Sequence, residues 1–183
     1  HGTVVDGTGG TRYQADVGIV EGKIKTIGKV GNVEASKVIE ASGHIIAPGF
    51  IDMHSHSDVT LLEDPGGESK VHQGVTTEVT GNCSYSPFPS GKADPLDLQR
   101  VMGTTMASDT KWNWTTMDGW ASSLDSSGVS INVAAQLGQS ALRIAVGAIE
   151  NRPANQDELD QMKYLTEEAM EQGALSITTG LTL

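Results

Sequence analysis

Residues 48–58 read PGFIDMHSHSD, an apolar run that ends in two histidines, His54 and His56. The longer run HIIAPGFID, residues 44–52, is typical of a strand buried on both faces, as in a parallel sheet. Side chains two residues apart on a strand point to one face, so both imidazoles aim the same way, with Asp52 one step earlier. The stretch therefore indicates a parallel sheet with a polar cluster where this strand ends.

Two imidazoles at this spacing can hold one metal ion. At ~3.3 Å per residue they lie about 7 Å apart along the strand, and they can converge once the strand end flares. Asp52 could accept an imidazole N–H and fix its tautomer, a common role for a carboxylate behind a metal ligand. The alternative is that both histidines are surface or capping residues, because His-x-His also occurs by chance.

The single cysteine of the chain is a third candidate ligand. Cys83 lies in GNCSYSP, just past a second predicted strand at 75–81, and could reach the same mouth of the fold. A thiolate is a strong zinc ligand and can bridge two ions. The alternative is that Cys83 is a small buried hydrophobic residue. Together with the imidazoles, the cysteine favours a zinc site formed by His54, His56 and Cys83.

Downstream of the histidines, strand and helix patterns alternate. Helices are predicted over 68–73, 115–126 and 156–172, and strands over 75–81, 129–138 and 174–180. The last helix has the clearest boundaries, with Asn155 as N-cap, Glu158 in capping-box position and Gly173 after its end. Such alternation is typical of a parallel α/β fold. Residues 84–112, rich in Ser, Pro and Gly, are predicted to be a long loop that could border a substrate.

The first part of the chain has a different pattern. Between residues 3 and 47, short β-rich pieces such as KVIEA at 37–41 are separated by turn signals, among them Glu21–Gly22. This pattern predicts a small β-rich part that precedes the α/β part.

The composition narrows the class of protein. The 183 residues carry 23 acidic and 12 basic side chains, a formal net charge of −11, which argues against nucleic acid or an anionic membrane as partner. No apolar run approaches the ~18 residues of a transmembrane helix, and a single cysteine excludes an internal disulfide. We therefore expect a soluble, cytoplasmic protein, and the composition leaves its oligomeric state open.

The remaining polar candidates are weaker. His44 is expected on the small β part, His72 on a helix surface, and Glu78 as a packing or helix-contacting carboxylate. The three tryptophans are expected in the core. No Gly-x-Ser-x-Gly motif is present and no histidine follows His72, which argues against Ser/His nucleophilic catalysis.

Four stretches closely resemble one enzyme family. PGFIDMHSHSD, ESKVHQGVTTEVTGNCSYSP, LRIAV and EEAMEQGALSITTGL are similar to N-acyl-D-amino-acid deacylases (D-aminoacylases) of the amidohydrolase superfamily. The resemblance implies a (β/α)8 barrel with a small β-sandwich, in which residues 1–46 belong to the sandwich and residues 47–183 form the first four barrel units. It also implies that His54, His56 and Cys83 bind one or two zinc ions. The implied reaction is hydrolysis of the amide of an N-acyl-D-amino acid to a carboxylate and a free D-amino acid.

The resemblance also implies groups that this sequence lacks. The family draws two more zinc-binding histidines and a catalytic aspartate from later barrel strands, whereas no histidine follows His72 here. We therefore expect an N-terminal part of a longer enzyme, inactive alone, with the acid–base aspartate beyond residue 183. Two alternatives stay open: another amidohydrolase specificity (cyclic amide, cyclic imide or dipeptide), or a non-catalytic scaffold or subunit completed in trans. Gln139, where the family often has histidine, bears on substrate preference more than on metal binding.

Overall fold

The computed structural model describes residues 1–103, 106 and 108–181. The chain divides into two compact units, His1–Gly49 and Phe50–Leu183, three residues later than the predicted boundary after residue 46. Thr104, Thr105 and Ala107 of the predicted loop, and the last two residues of the predicted barrel part, lie outside the described residues.

The first unit is a four-stranded sheet with the strand order β3-β2-β1-β4. Its strands are β1 (Gly2–Val4), β2 (Tyr13–Val20), β3 (Lys23–Gly28) and β4 (Ile45–Ile46). β2 is antiparallel to both β1 and β3, and β4 is parallel to β1. The predicted turn at Glu21 and Gly22 joins β2 to β3, and its φ angles of 50° and 72° are those of a tight hairpin turn. The predicted β-rich character is confirmed, although residues 37–41 form no strand.

The second unit alternates strands and helices. Its elements are β5 (Phe50–Asp52), α1 (Glu68–Val71), β6 (Val75–Thr80), α2 (Pro95–Met102), α3 (Met117–Ser127), β7 (Asn132–Ala135), β8 (Leu137–Gly138), α4 (Gln139–Ala145), α5 (Gln156–Glu171) and β9 (Ile177–Thr178). Short 3-10 helices occupy Thr60–Leu62 and Asn82–Ser84. β5, β6 and β7 form one parallel sheet in that order, and β8 pairs with β9 in parallel. The predicted α/β class is confirmed.

The apolar run at 44–52 is divided between two strands. Ile45–Ile46 pairs in the first unit and Phe50–Asp52 pairs in the second. The prediction that this run is buried on both faces is wrong, because Ile45, Phe50 and Ile51 are 63%, 61% and 59% exposed. Both strands are edge strands within the described sheets, and apolar composition does not distinguish an edge strand from a central one.

The predicted elements need four further corrections. The strand predicted over 129–138 is interrupted at Gln136, between β7 and β8, and the one predicted over 174–180 is limited to β9. The loop predicted over 84–112 contains α2, and α4 was not predicted at all. α2 begins with Asp94 as N-cap, whose carboxylate accepts the N–H of Leu96, and with Pro95 at the first helical position.

The core of the second unit helps to position the histidine segment. α3 buries Met117, Trp120 and Leu124, which are three and four residues apart and so lie on one face of the helix. The Trp120 ring lies 5.3 Å from the Phe88 ring between centroids, and its Nε1 donates to the carbonyl of Asp58 at 2.8 Å. A buried aromatic side chain therefore fixes the backbone two residues after the second histidine. No described helix is at once long enough and apolar enough to traverse a lipid bilayer.

α5 has the predicted capping box. The Asn155 side chain accepts the N–H of Glu158, and the Glu158 carboxylate accepts the N–H of Asn155. Arg152 donates two hydrogen bonds to the same carboxylate, at 2.7 and 2.8 Å. These bonds, that of Arg152 foremost, lower the pKa of Glu158 to about 2.

Replacing Glu158 with glutamine is expected to remove a pH-dependent part of the stability. The ordinary pKa is 4.5 and the folded pKa is about 2, so the stabilisation is complete above the ordinary pKa and is lost as the pH falls towards the folded one. The free energy of unfolding of the wild type should exceed that of Glu158→Gln at pH 7, and the difference should shrink below pH 4.5. Urea denaturation at stepped pH measures it, with Glu167→Gln, exposed on the same helix, as control. A difference that does not vary with pH would contradict the prediction.

Candidate metal centre

The side chains of His54, His56 and Cys83 meet where β5 and β6 end. One ligand atom from each, a ring nitrogen or the sulfur, lies within 4.8 Å of the other two. Cys83 Sγ is 3.3 Å from His54 Nε2, and the centroids of the two imidazoles are 5.4 Å apart with the rings at 75°. His54 is exposed, and the other two are partly buried. The structure thus brings together the three residues that the sequence indicated as metal ligands.

Strand pairing accounts for this convergence. Asp52 lies opposite Glu78 in the parallel pair of β5 and β6, so the carboxyl ends of both strands reach the same edge of the sheet. His54 follows the end of β5 by two residues, and Cys83 follows the end of β6 by three. The three ligand candidates therefore come from two short segments that leave neighbouring strands.

Contacts with β6 and the residues after it hold the histidine segment. The N–H of Ser55 donates to the carbonyl of Val79 at 3.1 Å. The side-chain amide of Asn82 donates to the carbonyls of Ser55 and Val79, at 3.3 and 2.8 Å. Further along, Asp58 Oδ1 accepts the N–H of Gly81 at 2.7 Å. The backbone between and after the two histidines is therefore fixed to the neighbouring strand.

Cys83 lies in a turn of left-handed backbone. The φ angles are 78° at Gly81, 56° at Cys83 and 76° at Ser84, and this conformation costs a non-glycine residue about 1–2 kcal/mol. The Thr178 hydroxyl donates to the carbonyl of Gly81 at 2.5 Å. A Cβ added at Gly180 would lie 2.8 Å from the carbonyl oxygen of Cys83. β9 and the residues that follow it therefore help to place the thiol.

His56 has the properties of a neutral metal ligand. Burial, together with the charge of the nearby His54, lowers the pKa of the His56 imidazole, which favours the uncharged ring that binds metals. Its Nδ1 is buried and accepts or donates no hydrogen bond among the described residues, and its ring meets Tyr85 edge-on at 6.1 Å between centroids. Two imidazoles and a thiol are a donor set that suits zinc. The residues present therefore fit a zinc ion.

The Asp52 carboxylate has two partners, and neither is an imidazole ring. Its carboxylate pairs with the ammonium group of Lys70 and accepts the backbone N–H of His54 at 3.1 Å. These two contacts, that of Lys70 foremost, lower the pKa of Asp52. Among the described residues no hydrogen bond joins Asp52 to an imidazole, because β5 ends at Asp52 and the strand alternation is not maintained past it. The direct contact between Asp52 and a ring stays a prediction.

Glu78 is a buried carboxylate that contacts the serines of the histidine segment. It is fully buried on β6, where it accepts the hydroxyls of Ser55 and Ser57 and lies 3.3 Å from Lys70 Nζ. Since Lys70 belongs to α1, the prediction of a helix-contacting carboxylate is confirmed. The sequence did not indicate its contact with the serines that alternate with the histidines.

Asp58 is a second buried carboxylate, and sequence reasoning missed it. It is 1% exposed, and burial raises its pKa to about 7, although the N–H of Gly81 acts in the opposite direction. The available signal was its position as the last residue of HSHSD, two residues after the second histidine. Its carboxylate links the histidine segment to the turn that carries the cysteine.

The other histidines lie outside the cluster. His44 belongs to the first unit, as predicted, where its Nδ1 lies 3.1 Å from the carbonyl of Ser42. His72 is exposed at the C-terminal end of α1, also as predicted. His1 pairs with Asp16 within the first unit.

Comparison with known proteins identifies relatives of the whole chain. Residues 37–180 match the model of the Amidohydrolase family. A D-aminoacylase of Alcaligenes xylosoxydans xylosoxydans is 36% identical over 182 residues, which cover 98% of this chain and 36% of that protein.

Two solved structures have the same fold over nearly the whole chain. An N-acyl-D-glutamate deacylase of Bordetella bronchiseptica, complexed with zinc and a phosphonate mimic of the reaction's tetrahedral intermediate, superposes with a TM-score of 0.86 at 35% identity. A D-aminoacylase with a binuclear metal centre superposes with a TM-score of 0.84 at 34% identity. Each match covers 98% of this chain and 37% of the solved chain. The chain thus spans little more than a third of the length of these relatives.

Proposed function

The chain belongs to the amidohydrolase family, and on that premise we propose that the protein hydrolyses the amide of N-acyl-D-amino acids to a carboxylate and a free D-amino acid. One observation carries the proposal: ligand atoms of His54, His56 and Cys83 lie within 4.8 Å of one another. The 36% identity to a D-aminoacylase supports this choice of substrate class.

We propose a barrel architecture for the second part of the chain. Residues 47–183 would form the first four strand–helix units of a (β/α)8 barrel, and residues 1–46 the N-terminal strands of a small β-sandwich domain. The parallel pairing of β5, β6 and β7 and of β8 with β9, with helices between most of these strands, supports this inference. Barrels of this class carry their functional groups just after the carboxyl ends of the strands. His54 and His56 follow β5 in this way.

We propose zinc, as one or two ions, as the cofactor held by His54, His56 and Cys83. When bound, zinc supplies Lewis-acid activation of water and of the substrate carbonyl. The buried Nδ1 of His56, without a hydrogen-bond partner in the described part of the chain, fits a residue that has a metal to bind.

Other residues of the site are proposed to hold the ligands in place. Asp52 is proposed to orient His54 through the backbone N–H that it accepts at 3.1 Å. Tyr85, 8% exposed, covers one edge of His56. Asn82 anchors the carbonyl of Ser55, between the two histidines. These contacts fix the backbone that carries the two imidazoles. His56 is partly buried, whereas His54 is exposed.

Replacing His56 with alanine in the complete protein is expected to remove zinc and hydrolysis together. Loss of a ligand should reduce kcat/KM for an N-acetyl-D-amino acid by more than ~100-fold, the upper end for groups that only support a ligand. N-acetyl-D-leucine and N-acetyl-L-leucine are the substrates, and zinc content is measured by atomic emission. The wild type should hydrolyse the D-isomer faster.

The matched control is His72→Ala, because His72 is an exposed histidine outside the cluster. This variant should keep the zinc content and turnover of the wild type. Undiminished turnover in His56→Ala would refute the site assignment. Hydrolysis of a cyclic amide or a dipeptide, with no turnover of either N-acetyl-leucine, would instead favour another amidohydrolase specificity.

A further inference from the structure

The segment that carries the two histidines makes two separate sets of contacts. His54 and His56 meet Cys83. The hydroxyls of Ser55 and Ser57 both donate to a single oxygen of the Glu78 carboxylate, Oε2. The residues that immediately precede and follow His56 are therefore fixed at one point.

Among the described residues, the cationic group that pairs with the buried Glu78 carboxylate is that of Lys70. Lys70 Nζ lies 3.3 Å from Glu78 Oε1, and the Glu78 side chain has no exposed surface. A buried carboxylate is stable when it is paired and hydrogen-bonded, and loss of its partner leaves an uncompensated charge. Lys70 therefore determines whether Glu78 can keep both serines in place.

The same ammonium group is also connected to His54, through the Asp52 carboxylate. Lys70 pairs with Asp52, and the other carboxylate oxygen of Asp52 accepts the N–H of His54. One lysine thus connects to His54 through Asp52 and to both neighbours of His56 through Glu78. Neither Lys70 nor Glu78 belongs to the ligand cluster itself.

We propose that Lys70 and Glu78 are positioning residues for the metal centre, and that they set the affinity for zinc by fixing the separation of the two imidazoles. The proposal rests on the proposed function, since it takes His54, His56 and Cys83 as zinc ligands. The contacts of Lys70 and Glu78 act on the backbone that carries the rings, and outer contacts of this kind typically change metal affinity by about 10–100-fold.

The test is the zinc dissociation constant of the complete protein, measured by competition with a chromophoric chelator. Glu78→Gln keeps the shape of the side chain and removes its charge, whereas Lys70→Met keeps the aliphatic stem and removes the ammonium group. Both should raise the Kd for zinc by about 10–100-fold. Lys70→Arg keeps the charge, and a cavity of about 100 Å³ beside Ser57, Lys70 and Glu78 gives space for the guanidinium. This variant should bind zinc more tightly than Lys70→Met.

Two controls separate positioning from a general loss of stability. Lys163→Met removes an exposed lysine and its ion pair with Asp160, far along the chain on α5. Leu165→Ala removes a buried side chain from the same helix and should destabilise the fold, and Leu165 makes none of the hydrogen bonds that hold the histidine segment. Both variants should bind zinc with the Kd of the wild type. This result would show that a loss of stability alone does not change the Kd for zinc.

The outcomes are distinct. A wild type that binds zinc, together with folded Glu78→Gln and Lys70→Met variants of unchanged Kd, overturns this inference and leaves the proposed function standing. A wild type that binds no zinc overturns both. Where the charge variants do not fold, Ser57→Ala decides, because it removes one hydroxyl from a half-buried position. A wild-type Kd in that variant overturns the inference, and a raised Kd supports it.

Discussion

Replacing Cys83 with alanine is expected to lower the zinc affinity of the complete protein by more than ~100-fold, beyond the range for groups that only support a ligand. The sulfur lies 3.3 Å from His54 Nε2 and within 4.8 Å of the ligand atoms of both histidines. Its removal leaves two imidazoles, one of them exposed, to hold the ion. Zinc content after dialysis and the turnover of an N-acetyl-D-amino acid should fall together.

This variant distinguishes between the two interpretations of the cysteine. A cysteine that served as a small hydrophobic residue would tolerate alanine with little effect, since the two side chains are similar in size. Thr76→Ala, an exposed substitution on the strand that leads to the cysteine, is the matched control and should retain its zinc. If Cys83→Ala retained a full complement of zinc, the thiol would have no part in the site.

Replacing Gly81 with alanine is expected to destabilise the second unit by about 2–5 kcal/mol. The φ of 78° costs a residue with a Cβ about 1–2 kcal/mol. The new Cβ would also lie 2.0 Å from the carbonyl oxygen of Gln136, and the backbone shift needed to relieve such overlap typically costs about 1–3 kcal/mol. Guanidinium denaturation measures the free energy of unfolding.

The control for this prediction is Gly128→Ala. Gly128 has a similar φ of 69°, but a Cβ there would meet nothing within 4 Å. The Gly128→Ala variant should therefore lose only the cost of the left-handed backbone, about 1–2 kcal/mol. If both variants lost the same free energy of unfolding, the overlap of the new Cβ at residue 81 with the Gln136 carbonyl would contribute nothing to the loss.

The candidate site was predictable because its signals are local in the sequence. His54 and His56 follow an apolar strand at alternate positions, and Cys83 follows the next predicted strand. Parallel pairing then brings the ends of neighbouring strands to one edge. Parallel pairing sufficed to expect the convergence of the three side chains, although both histidines lie past the end of β5 and not on the strand itself. Zinc binding stays a prediction.

Contacts made at long range could not be read from the sequence in the same way. Glu78 resembles an ordinary strand residue, and its contacts with Ser55 and Ser57 bridge 23 and 21 positions of the chain. Asp58 owes its burial to Gly81 and to Trp120, which is 62 positions away. Such partners follow from tertiary packing, which local patterns do not encode.

The wrong burial prediction for β5 and the failure to predict α2 have different explanations. Phe50 and Ile51 are as apolar as core residues, and their exposure depends on the position of β5 at the edge of its sheet. α2, by contrast, had a recognisable start in Asp94 and Pro95. The high content of Ser, Pro and Gly in the surrounding residues masked that signal.

At residue 83, the left-handed backbone favours glycine, whereas the proposed metal site requires a cysteine. Glycine would hold a φ of 56° with the least strain, but it has no sulfur to offer a metal. If Cys83 is a zinc ligand as proposed, Cys83→Gly would remove that ligand while relieving the backbone strain. At this position a more stable fold would come with the loss of the proposed metal ligand, which is a trade-off between stability and activity.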